Sequence, residues 1–171
     1  MLAALVMFAQ LTVAVPSDTP PPAPRVRAVE VSDWYARRLT LHRRLSYTVI
    51  PLFAFQYAAG RQLWDKGDAA PEWARTGHPI GAVAIGTVFL ANTVTGGWNL
   101  WDSRHVEQGR TRRYLHAASM LAADAGFVWA GARLSKQAET DFEKRKLHRT
   151  VALSSIALSL TSGLLMKFTN D

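Results

Sequence analysis

Apolar stretches of about 20 residues alternate along this chain with short linkers crowded with charge. A soluble domain spreads its apolar positions at periods of about 2 or 3.6 along amphipathic elements; here they are gathered in blocks. Four blocks stand out, at 42–63, 78–100, 113–134 and 146–168. As helices rising about 1.5 Å per residue, each is long enough to cross the hydrocarbon of a bilayer. Pro79 is expected at the first helical position of the second block, where its missing N–H costs nothing, and Pro51 is expected to bend the first mildly. Linkers of about a dozen residues favour antiparallel neighbours. Trp64, Trp98, Trp101 and Tyr114 fall near block ends, as interfacial aromatics do.

Ahead of the blocks, residues 1–15 (MLAALVMFAQLTVAV) form an apolar segment, signal-like or membrane-associated and short for a span. Residues 16–27 are Pro-rich and read as an extended linker. Residues 28–41 read as a short interfacial helix capped by Ser32 or Asp33. The expected fold is therefore all-α, an integral membrane up-down-up-down four-helix bundle over 42–168, preceded by the 1–15 segment and the 16–41 linker and interfacial helix.

The net charge of +7 on 171 residues would suggest nucleic acid as the partner of a soluble domain. Here Arg and Lys sit almost wholly between the apolar blocks, where charges flank membrane helices, so membrane lipid is the expected partner and nucleic acid is not. They divide nearly evenly between the two faces, so the positive-inside rule sets no orientation. The absence of Cys excludes disulfides, thiolate metal sites, Cys nucleophiles and c-type haem attachment. No nucleophile–base pair, Gly-rich phosphate loop or paired catalytic carboxylates appear, and Gly96-Gly97 closes an apolar helix instead of opening one.

The histidines change the picture. Of five, four open the four blocks: His42, His78, His116 and His148. Antiparallel crossing brings the starts of blocks one and three to one face, and those of two and four to the other. His42 then pairs with His116, and His78 with His148, each pair across a bundle diagonal. Two imidazoles facing one another are what bis-His haem ligation requires, so two such pairs imply two haem b groups, with the four histidines as iron ligands. Small residues near the far end of each block, Ala58-Ala59-Gly60, Gly96-Gly97, Ala130-Gly131-Ala132 and Ser162-Gly163, would let helices recede around a wide macrocycle, or simply pack closely. Arg43, Arg44, Arg112 and Arg113 on one face, with Arg149 and Lys146 on the other, are candidates to hold haem propionates. His105 reads as a linker residue, with proton handling as its other reading.

Asp124 falls near mid-membrane in block three, where an ionisable group is costly. It reads either as a proton-relay or quinone-site group, or as a hydrogen-bonded carboxyl facing Asn92, Ser159 or Thr161. Gln56, Asn92 and Thr93 read as interhelical hydrogen-bonding groups, and Ser154, Ser155 and Ser159 as bonded to their own helix.

The segments LHRRLSY, GHPIGAV, RYLHAAS and KLHRTVA give this chain a pattern that resembles the four-helix core of the cytochrome b-561 family and its ferric-reductase relatives. The resemblance covers residues from about 42 to 168 and is one of spacing and topology. It implies that the first and third histidines ligate one haem and the second and fourth the other. It further implies a transmembrane electron carrier, a quinol- or ferric-reductase-type oxidoreductase subunit in a larger membrane complex, with a quinone or a redox partner protein as donor or acceptor. The donor-site residues of ascorbate-using members have no counterpart here. The expected location is the bacterial inner (cell) membrane, multi-pass. Two other readings stay open: a haem-free structural or assembly subunit of a membrane complex, and a small transporter or metal-handling protein using the His pairs and Asp124.

Overall fold

The computed structural model describes residues 32–168, which are almost wholly helical, with no strand among them. The 1–15 segment and the 16–27 linker lie outside the described residues. Five α-helices follow in order: α1 (Asp33–Lys66), α2 (Glu72–Asp102), α3 (Arg110–Trp129), α4 (Gln137–Thr140) and α5 (Phe142–Phe168). A 3₁₀ turn, Gly67–Ala69, links α1 to α2, and a π-helical turn, Ala130–Leu134, continues α3.

Helix boundaries depart from the expected ones: α5 starts at Phe142, ahead of its block, and a short α4 stands in the linker before it. The interfacial helix is not separate: α1 runs unbroken from Asp33, with the Ser32 hydroxyl accepting the Tyr35 N–H as its N-cap. Helix α2 begins earlier than the apolar block, at Glu72 behind Pro71, so Pro79 lies inside the helix and not at its first position. The third block ends in a π turn, which apolar patterning does not encode. Helix α1 stops at Gly67, whose φ of 54° suits a residue without Cβ and whose N–H caps the Leu63 carbonyl.

Successive long helices run antiparallel. Arg38, early in α1, meets Asn99 and Asp102, late in α2, while Phe55 of α1 stacks on Trp73 at the start of α2. His116, early in α3, meets Ser162, late in α5, while Ala130 after α3 meets His148, early in α5. The most extensive packing joins α1 to α2 and α3 to α5; α2 and α3 touch more sparsely. Trp64 of α1 packs on Phe142 of α5, closing the fourth side.

The interior is small and polar at its rims and aromatic at its centre. Ala59, Ala74, Ala123, Asn92, Asn99, Ser155, Ser159 and Ser162 are buried. Phe53, Phe89 and Phe127 stack at the centre, with ring centroids 5.9, 5.7 and 4.9 Å apart. These phenylalanines each stand eleven residues past a histidine, and their rings meet between the two ends. Outward faces carry large apolar side chains: Ile80, Val83, Leu90 and Val128 are each about two-thirds exposed or more. Helices α2 and α5 are long and apolar enough to cross a membrane; α1 and α3 have the length but carry charge, with Arg43, Arg44 and Arg61 in one and Arg110, Arg112, Arg113 and Asp124 in the other.

Candidate functional site

Four of the histidines meet as two facing pairs. His42 of α1 and His116 of α3 lie with ring centroids 6.3 Å apart and planes at 81°. His78 of α2 and His148 of α5 lie 6.2 Å apart at 63°. All four are half-buried. Each sits in the first turns of its block and points inward, because α-helical side chains lean towards the N-terminus and these positions face the neighbouring helix.

The backbone of the adjacent antiparallel helix orients three of the four rings. His42 Nδ1 lies 3.2 Å from the Asn92 carbonyl and 3.3 Å from Thr95 Oγ1. His116 Nδ1 lies 2.8 Å from Ser162 Oγ and 3.3 Å from the Ser162 carbonyl. His148 Nδ1 lies 3.0 Å from the Ala130 carbonyl. A carbonyl can only accept, so in these three rings Nδ1 carries the proton and donates it. In the neutral imidazole Nε2 is then left with a free lone pair. His78 Nε2 lies 3.5 Å from the Gln56 side-chain nitrogen, and its Nδ1 is buried without a hydrogen-bond partner.

One register underlies all four. Gln56, Asn92, Ala130 and Ser162 each stand fourteen residues past the histidine on their own helix. In three cases this position, about 21 Å beyond the helix's own imidazole at about 1.5 Å per residue, offers a carbonyl to the antiparallel neighbour's imidazole; the fourth, Gln56, brings its side-chain nitrogen to His78. Gly60 and Gly96 complete the seats in α1 and α2: a Cβ there would come 3.1 Å from His78 Cε1 and 3.0 Å from His42 Cε1. Around the first pair, the Asn92 amide donates to Ser46 Oγ, and the Ser46 hydroxyl donates to the His42 carbonyl. In the second hairpin the π turn plays a related part. It starts at Ala130, whose carbonyl receives His148 Nδ1.

The arginines are placed otherwise than the histidines. Arg43 and Arg44 are exposed on α1. The Arg113 guanidinium donates to the carbonyls of Ser103, Val106 and Gln108, so it ties down the α2–α3 connection. Arg149 stacks over the Trp64 ring at 4.5 Å. His105 is exposed in the α2–α3 connection. Asp124 meets Thr93, not Asn92, Ser159 or Thr161: its Oδ2 accepts the Thr93 hydroxyl at 2.5 Å, and its Oδ1 is buried without a hydrogen-bond partner. Sequence reasoning missed the carbonyls, which have no residue signature, and the pairing of Thr93 with Asp124. The signal for the glycine seats was present: Gly60 and Gly96 each follow a histidine by eighteen residues, about five helical turns.

Among the described residues no cluster of three or more His, Asp or Glu is arranged around a common point; each site offers two imidazoles. No protein-family model, curated protein or solved structure matches this chain.

Proposed function

We propose that this chain carries electrons across a membrane through two b-type haems, one clamped by His42 and His116 and the other by His78 and His148. The observation that carries the reading is the separation of the paired rings, 6.3 and 6.2 Å. An imidazole nitrogen binds a first-row metal at about 2.0 Å, and the ring centre lies about 1.2 Å behind it, so two rings gripping one ion from opposite sides have centres about 6.4 Å apart. A bare metal ion usually takes three or four protein donors; iron already held by four porphyrin nitrogens takes two axial ones. The residues therefore fit haem better than a naked cation. In His42, His116 and His148, Nδ1–H bonds to fixed carbonyls hold the ligand tautomer and ring angle, the usual support for metal-bound histidine.

A bound haem iron supplies a one-electron carrier, and the chain's own residues set where such carriers stand. The two pairs lie about 21 Å apart along the helices, most of the roughly 30 Å of hydrocarbon. The four long helices then form the up-down-up-down bundle in the bilayer, with apolar side chains such as Ile80, Val83 and Leu90 towards lipid and small or polar ones inside. Connections between helices are short, so donor and acceptor come from outside the chain, as a redox partner protein or a quinone within a larger membrane complex.

The test is an absorption spectrum of the detergent-purified protein. A reduced-minus-oxidised b-type band that loses half its amplitude in His116→Ala and half in His148→Ala is expected. A colourless protein overturns the reading, as does a band that is unchanged in both variants.

A further inference from the structure

Asp124 stands in mid-α3, eight residues past His116, about 12 Å along the helix. Its Oδ2 accepts from the Thr93 hydroxyl of α2, and its Oδ1 is buried without a hydrogen-bond partner. Thr93 directly follows Asn92, whose carbonyl takes the His42 Nδ1 proton and whose amide reaches Ser46. The carboxyl is thus joined through α2 to the hydrogen-bonded shell of the His42–His116 pair. Phe53 of α1, Phe89 of α2 and Phe127 of α3 fill the centre nearby, and Ser155 and Ser159 are buried positions of α5. Among the described residues no Lys, Arg or second carboxyl acts on Asp124 from α1, α2 or α5, and it takes part in no ion pair. An ionisable side chain at this depth is costly to keep charged and unusual without a role.

We infer that Asp124 is a proton-binding site coupled to the charge on the His42–His116 pair. The inference rests on the haem reading above. As one electron arrives from the donor, the Asp124 carboxylate takes one proton from water and becomes the neutral acid; as the electron leaves, the proton returns. The net charge inside the membrane is then unchanged. Two charges about 12 Å apart at an effective dielectric of about 20 alter each other's equilibrium about tenfold. The protonated acid favours the reduced pair, so reduction is easier in acid.

The experiment is a redox titration of the purified holoprotein across pH, following the b-type absorbance. In the wild type, one of two midpoints is expected to fall as pH rises, by about tenfold in its equilibrium constant between plateaus, which is about 59 mV for a one-electron centre. Asp124→Asn keeps an oxygen for the Thr93 hydroxyl and should abolish the fall, leaving the pigment content unchanged. Thr93→Val keeps the carboxyl and should displace the fall to another pH. Midpoints that ignore pH overturn the inference while the spectrum upholds the haems, as does a fall that persists in Asp124→Asn. A protein without b-type absorbance overturns the haem reading, and this inference with it.

Discussion

The imidazole of His42 lies directly over the backbone of Gly96, so close that a Cβ on the glycine would stand 3.0 Å from His42 Cε1. The neighbouring Gly97 has nothing within 4 Å of its would-be Cβ. Gly96→Leu should therefore expel the ring and remove half of the b-type absorbance, whereas Gly97→Leu should leave the spectrum intact. Haem-to-protein ratios of the two variants, purified in parallel, check the contrast.

Ser162 accepts the His116 Nδ1 proton on its hydroxyl at 2.8 Å and donates, more weakly, to the His116 carbonyl. Ser162→Ala leaves only the backbone carbonyl, at 3.3 Å. Losing an outer-shell partner of a metal-bound histidine typically weakens metal affinity about 10- to 100-fold. Haem transfer to an acceptor apoprotein should be faster by a factor in that range from one site and unchanged from the other.

Arg38 ties α1 to α2 three ways: it donates to Asn99 Oδ1 at 3.0 Å, pairs with Asp102 and stacks over Trp98. Its guanidinium is mostly shielded while Asp102 is about one-third exposed, so solvent screening trims the ion pair. Arg38→Ala should lower stability by about 1–2 kcal/mol, chiefly through the orphaned Asn99 oxygen. Thermal unfolding in detergent, compared with the exposed-site variant Arg44→Ala, measures it.

Phe89 is buried against Phe53 and Phe127 at the level between the histidine pairs. Phe89→Ala should cost about 3 kcal/mol through the void it leaves. Both haems should stay bound, because the cluster supplies neither an imidazole nor a hydrogen bond to one. Unfolding in mixed micelles together with the b-type spectrum separates the two effects.

The all-helical fold was legible because apolar blocks separated by charged linkers have few other solutions, and the histidine pairing followed from alternating helix direction alone. His42 with His116 and His78 with His148 needed only parity, not atomic detail. The start of α2 was not legible: Pro79 sits one residue past His78, and its ring gives the same signal inside a helix as at its beginning. The π turn at Ala130–Leu134 and the fate of Arg113 were hidden for a different reason. Both are matters of backbone hydrogen bonding, and carbonyls carry no side-chain identity.

The reciprocal seats also divide the chain in an unexpected way. Within each closely packed hairpin a helix orients its neighbour's ring, but the ring facing it across either centre belongs to the other hairpin. Residues 33–102 hold one jaw of each clamp and residues 110–168 hold the opposing jaw, while the direct seam between α2 and α3 is thin. Whatever the jaws grip would rivet the two halves together, so that its binding energy becomes cohesion of the whole molecule.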